Sequence, residues 1–194
     1  MTILETLKTE TKTQHQQVER VLISELKSLK TKNDYAKLLN RLYSFYKPLE
    51  DDLHQKIDQE TIKDIAQRKH TFRIVKDLQA LNSEADISLK NDHIAIPSLS
   101  YAIGVMYVIE GSTMGGQIIS KMIHKNVNTD GADAVSYFSS YEETTHHMWT
   151  EFKNQVTNME HTLDYQEVFK GAKDTFSNLE KWLLLTKSSE STSV

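Results

Sequence analysis

The 194-residue chain carries 23 basic and 27 acidic side chains, a formal net charge of −4, two prolines and no cysteine. Without cysteine there is no disulfide framework, thiolate metal site, iron–sulfur cluster or cysteine nucleophile. A mildly acidic chain is not built as a general nucleic-acid binder, and so few Gly and Pro disfavour a many-stranded sandwich or barrel. No apolar run reaches the roughly 20 residues of a membrane span, and the start MTILETLKTETK lacks a basic-then-apolar leader. The expectation is a single cytoplasmic domain, residues 1–186, followed by a disordered polar tail, 187–194.

In chain order, helical periodicity dominates. A first helix is predicted from Thr2, with Glu5 completing a capping box, and its stripe Leu4, Leu7, Thr11, His15, Val18, Leu22 places His15 on the inward face. A second begins near Asn33–Asp34 and carries Tyr35, Leu38, Leu42, Phe45, Leu49 and Leu53, with a kink expected at Pro48. A third, from about Thr61, aligns Ile65, Phe72, Val75 and Leu78; residues 82–97 read as a connection. Arg68 and Lys69 form one local basic spot, as do Lys8 and Lys12.

A long central helix is predicted from Ser98 to Lys125, apolar on nearly all sides at first. After a loop at 126–139, two more helices carry Trp149, Phe152, Val156, Met159 and then Val168, Ala172, Phe176, Leu179, Trp182, Leu183. The predicted architecture is an all-α, single-domain helical bundle.

Four of the six glycines, Gly104, Gly111, Gly115 and Gly116, fall within the central helix. A helical glycine costs about 1 kcal/mol relative to alanine. Gly111 and Gly115 are four apart and share a helical face. A strip of bare backbone there admits either a closely packed helix or a flat ligand. The adjacent Gly115–Gly116 pair is a place for the helix to bend or break. A histidine on an apolar stripe is ordinarily a core residue, but a haem needs an axial donor on one side and a close-approach surface on the other. His15 and the glycine strip supply one of each. Glu19, a turn further on, either holds the second ring nitrogen of His15 or faces solvent. Lys12 and Lys8, about one and two turns before His15, either meet propionates or are solvated.

LKTETKTQHQQVE, residues 7–19, resembles the proximal helix of haem oxygenases, and YVIEGSTMGGQIISKM resembles their distal helix. RLYSFYKPLE resembles the bacterial, biliverdin-producing members, and GAKDTFSNLEKWL is similar to the last core helix. The resemblance implies a bundle of the haem-oxygenase type. Haem serves as substrate and cofactor, and is cleaved to biliverdin, carbon monoxide and ferrous iron with O2 and electrons from a ferredoxin or reductase. It makes His15 the iron ligand, sets Gly111 and Gly115 against the distal face, pairs Lys8 with a propionate and places Phe176 beside the pocket.

Ser112 stands where animal-type members have an aspartate, which leaves the proton route to Ser112, backbone and water. The positions of the other propionate's basic partners are nearest Met148 and Phe152, with Lys153 the neighbouring cation. Lys121 and its neighbours either dock a redox partner protein or face solvent. The chain is expected to be a monomer or homodimer. Two rivals stand beside this reading. One is a haem carrier or sensor without turnover. The other is a di-iron carboxylate oxidase, for which Glu143-x-x-His146 and Asp51-x-x-His54 are the available motifs.

Overall fold

The computed structural model describes residues 2–86, 95–129 and 133–191, with side chains to Thr186. His93 and part of each expected connection lie outside those residues. The described residues form α-helices and short 3-10 turns, with no strand among them.

Thr2 caps α1 (Ile3–Glu10): its hydroxyl accepts from Glu5 N at 3.3 Å, and its own N–H donates to the Glu5 carboxylate at 2.9 Å. The expected first helix is divided at Thr11, whose hydroxyl donates to Leu7 O at 2.8 Å, and the chain resumes as α2 (Lys12–Ser28). Backbone hydrogen bonds of helical spacing continue through that point, from Thr11 N to Leu7 O at 3.0 Å and from His15 N to Thr11 O at 2.9 Å. Leu4, Leu7, Thr11 and Val18 are buried, but His15, on the same stripe, is exposed.

Thr31 and Asp34 form a second capping box at the start of α3 (Lys32–Lys56), which passes through Pro48 without interruption and buries its whole predicted stripe. α4 (Thr71–Ala80) begins ten residues later than predicted. Residues 61–70 form turns around Ile65–Gln67 instead. The helix therefore buries Ile74, Asp77 and Leu78, and leaves Phe72 exposed under the Arg73 guanidinium. Arg68, expected at the surface, is buried.

The long central helix is broken where the glycine pair falls: α5 (Leu99–Ser112), a 3-10 turn at Thr113–Gly115, then α6 (Gly116–Asn126). The hydroxyls of Ser112 and Thr113 donate to Ile109 O and Glu110 O, both at 2.7 Å. α7 (Thr145–Met159) and α8 (Tyr165–Ser191) complete the bundle. α8 runs into the stretch read from the sequence as a polar tail, and residues 192–194 lie outside the description.

α8 packs against α1, α2, α3 and α5, and at 27 residues it spans about 40 Å. Its contact with α5 is set by two glycines. A Cβ on Gly104 would lie 2.0 Å from Val168 O, and one on Gly171 would lie 2.2 Å from Tyr101 O. Neither helix could approach so closely with any other residue there. A buried ion pair, Arg41–Glu25, joins α3 to α2. The indole of Trp182 on α8 donates to Arg41 O at 2.8 Å.

Candidate functional site

The bend between α5 and α6 is held from behind. Asp77 on α4 accepts from Ser136 N and Tyr137 N, both at 2.9 Å, and from Ser136 Oγ at 2.5 Å. This clamp fixes the loop that sets Phe138 O against Gly116, where a Cβ would come within 1.7 Å of it. Gly104 and Gly116 are therefore glycine for packing. Gly111 and Gly115 are not: a Cβ at 111 would touch only Trp149, at 3.7 Å, and one at 115 would meet nothing within 4 Å. A 3-10 turn, Thr113–Gly115, follows Gly111 and Ser112, with backbone torsions that stay in the right-handed helical region.

α2 and α6 meet near their C-terminal ends, where Asn126 Nδ2 donates to Leu26 O at 3.0 Å. His15 and Gly115 each lie eleven residues before that contact. Between the elements is a cavity lined by Leu22 from α2, Ile109, Ser112 and Thr113 from the bend, Ile119 from α6, and Leu179 and Leu183 from α8. His15 lies two turns before Leu22 on the same face of α2. Its ring meets Phe176 of α8 edge to face, with centroids 5.6 Å apart. The imidazole makes no hydrogen bond among the described residues, so both ring nitrogens remain available as donor atoms. Glu19 is exposed and does not hold it.

Lys8, at the end of α1, and Lys12, at the start of α2, are exposed and form no ion pair among the described residues. Met148 and Phe152 are core residues of α7. Lys153 lies 5.7 Å from the centre of the Trp149 ring, which stacks on Phe152. Ser112 lines the cavity, with its hydroxyl proton committed to Ile109 O. What it offers the cavity is therefore an acceptor. The sequence-named residues divide into two groups. His15 and Phe176 are in contact at the outer end, and Gly111, Ser112 and Gly115 are together on the bend.

Behind the bend is a polar cluster that the sequence reading does not contain. Glu110 is buried and accepts from Tyr141 Oη at 3.0 and 3.1 Å, from Arg68, and from His70 Nε2 at 3.0 Å. Arg68 also holds Asp64, at 2.7 and 2.9 Å. Burial would lower the Arg68 pKa, but the hydrogen bond to Asp64 and the Glu110 charge raise it above its usual value. Burial, followed by the Glu110 charge, pushes the Tyr141 phenol well above the ordinary range, so it stays protonated. One signal was legible in the sequence: Glu110 is the sole charged residue of α5. His70 carried none.

The di-iron alternative is not supported. No group of His, Asp and Glu among the described residues is arranged to hold a metal ion. His146 and Glu143 are exposed, and Asp51 is paired with Lys47 at 2.5 Å. No helix among the described residues is long and apolar enough to cross a membrane.

The model of the family described as heme oxygenase matches residues 1–184. The fold is similar to a haem oxygenase of Neisseria meningitidis solved with NO and CO bound, with a TM-score of 0.79 and 20% identity over 96% of this chain and 92% of that one. It is also similar to a haem oxygenase of the cyanobacterium Synechocystis solved in complex with haem, with a TM-score of 0.67 and 19% identity over 97% and 94% of the two chains. No curated protein matches the sequence.

Proposed function

We propose, from the premise that the chain belongs to the haem oxygenase family, that it cleaves haem to biliverdin, carbon monoxide and ferrous iron with O2 and electrons from a ferredoxin or reductase. Family membership makes it a haem-degrading enzyme. The products, the redox partner protein and the residue roles are our reading. The observation that supports the assignment of roles is the division of the glycines: Gly104 and Gly116 are packed against backbone, while a Cβ at Gly115 would meet nothing within 4 Å.

His15 would hold the iron through a bare ring nitrogen. Phe176 packs on the edge of its ring and fixes its orientation. Gly111 and Gly115 would let the bend lie close over the opposite face, where the absence of side chains leaves room for O2 beside the porphyrin edge. Lys8 and Lys12, at the open end near His15, suit the propionates. Ser112 would present an acceptor to the cavity, and the apolar wall of Leu22, Ile109, Leu179 and Leu183 would limit the entry of bulk water. Haem itself supplies the oxygen chemistry, and the protein binds, orients and shields it.

The test is a hemin titration followed by addition of a reductant under air. A Soret complex that converts to the absorption of biliverdin supports the proposal. No complex overturns it. A complex that never turns over leaves a haem carrier.

A further inference from the structure

His70 stands at the start of α4 with its side chain buried. Its backbone N–H donates to Glu50 at 2.5 Å, and Glu50 also takes hydrogen bonds from Thr71 N at 3.1 Å and Thr71 Oγ1 at 2.6 Å. The ring cannot drift, because the backbone on either side is anchored. Its Nε2 faces Glu110 at 3.0 Å and Tyr141 Oη at 3.2 Å. The Tyr141 proton is already directed to Glu110, and a carboxylate can only accept. The proton between His70 and these two groups must therefore sit on Nε2.

That leaves Nδ1 with its lone pair. Nδ1 is buried and has no hydrogen-bonding partner, while His70 forms part of the wall of the cavity that Ser112 and Thr113 border. A buried polar atom is nearly always paired, so an orphan on a residue that borders a cavity points to a partner that reaches it from there.

We propose that His70, oriented by Glu110, is the proton carrier of this site: it takes up a proton at Nδ1 and releases it into the cavity beside Ser112. The inference rests on the haem-degradation reading. That reaction reduces O2 with externally supplied electrons and releases water, so protons must be delivered. Ser112 and Thr113 cannot hold them in reserve, because their hydroxyl protons are tied to Ile109 O and Glu110 O. Each proton given up at Nδ1 would be replaced through a water molecule admitted to the cavity, while Glu110 holds the ring at Nε2. Glu110 is a positioning residue, because it acts only through His70.

Two arms test this on the full chain. In the first, the hemin-free protein is labelled with 15N-histidine, and the tautomer of each ring is read from two-bond 1H–15N correlations across a pH series. His70 is expected to show Nε2–H with a bare Nδ1 when neutral, and to take its proton at Nδ1. A ring protonated on Nδ1 when neutral, or one that does not titrate while the protein stays folded, overturns the proposal. In the second, hemin is bound to His70→Gln and Glu110→Gln, and to Tyr141→Phe, which keeps the imidazole.

For His70→Gln, hemin affinity within two-fold of wild type is expected, with biliverdin formation slowed by about 10²-fold or more and loss of one ionisation from its pH profile. Tyr141→Phe should slow it less and keep that ionisation. Equal rates and identical pH profiles in His70→Gln and wild type overturn the proposal. If the wild type itself forms no biliverdin, the parent reading falls, an outcome distinct from loss in the variants alone.

Discussion

The imidazole of His15 stands edge-on to the ring of Phe176, with centroids 5.6 Å apart and planes at 84°. An exposed side chain is thereby oriented by a buried one, so ligand chemistry and stability separate cleanly between the two. His15→Ala should change stability by no more than about 0.5 kcal/mol, as surface substitutions do, yet abolish the native Soret complex with hemin. Phe176→Ala should cost about 3–5 kcal/mol and broaden the Soret band by releasing the imidazole. Hemin titration and urea unfolding of both variants check this pair of outcomes.

The glycines give a second separation. An alanine Cβ at Gly104 would overlap Val168 O, a backbone atom that cannot turn aside. Gly104→Ala should therefore destabilise by about 1–3 kcal/mol. Gly115 has φ −85° and ψ −11°, a conformation open to any residue, with nothing beside it. Gly115→Ala should gain about 0.4–1 kcal/mol while weakening hemin binding. Opposite signs in stability, with loss of hemin affinity at 115, are the expected result; matching signs would remove the case for Gly115 as a ligand-facing position.

The fold class was legible because buried stripes at helical spacing require no knowledge of neighbours. The stripe of α3, from Tyr35 to Leu53, is buried throughout. The bend was legible because two adjacent glycines weaken any helix. The exposure of His15 was not, because its neighbours on the stripe, Thr11 and Val18, are buried and helical spacing alone does not separate it from them. The His70–Glu110 cluster was the least visible. Arg68 and His70, Glu110, and Tyr141 come from three separate stretches of sequence, and each residue alone reads as a surface residue. Only the unbroken apolar context of Glu110 hints that its charge must be met inside.

Acid should loosen the same region. Hydrogen bonds from Arg68 and Gln155 hold the Asp64 carboxyl below its ordinary value of 3.8, outweighing the burial that alone would raise it. A carboxyl depressed in the folded state contributes stability above its unfolded pKa and loses it as pH falls through the folded value. Stability should therefore decline as pH drops below about 4. Asp64→Asn should be less stable than wild type at pH 7, with the difference shrinking towards pH 3. Urea midpoints for both proteins across that range check it; a difference that stays constant with pH would sink the assignment.

The clamp at Asp77 makes the bend sensitive to a residue far from the cavity in sequence. Asp77 is fully buried, and its carboxylate takes both the Ser136 and Tyr137 N–H groups. Burial raises its pKa, and the hydrogen bonds it accepts oppose that. Asp77→Ala would leave two buried N–H donors without partners, at about 1–3 kcal/mol each. Asp77→Asn keeps the size but must turn an amide N–H towards one of those donors, so it should recover only part of the loss. The readout beyond stability is the bend itself. Phe138 O abuts Gly116, and releasing the loop lets α6 shift. Both variants should therefore bind hemin more weakly than their stability loss alone requires, with Asp77→Ala the weaker, when titrated at a temperature where both are folded. Wild-type affinity in folded Asp77→Ala would show that the loop does not set the position of the bend.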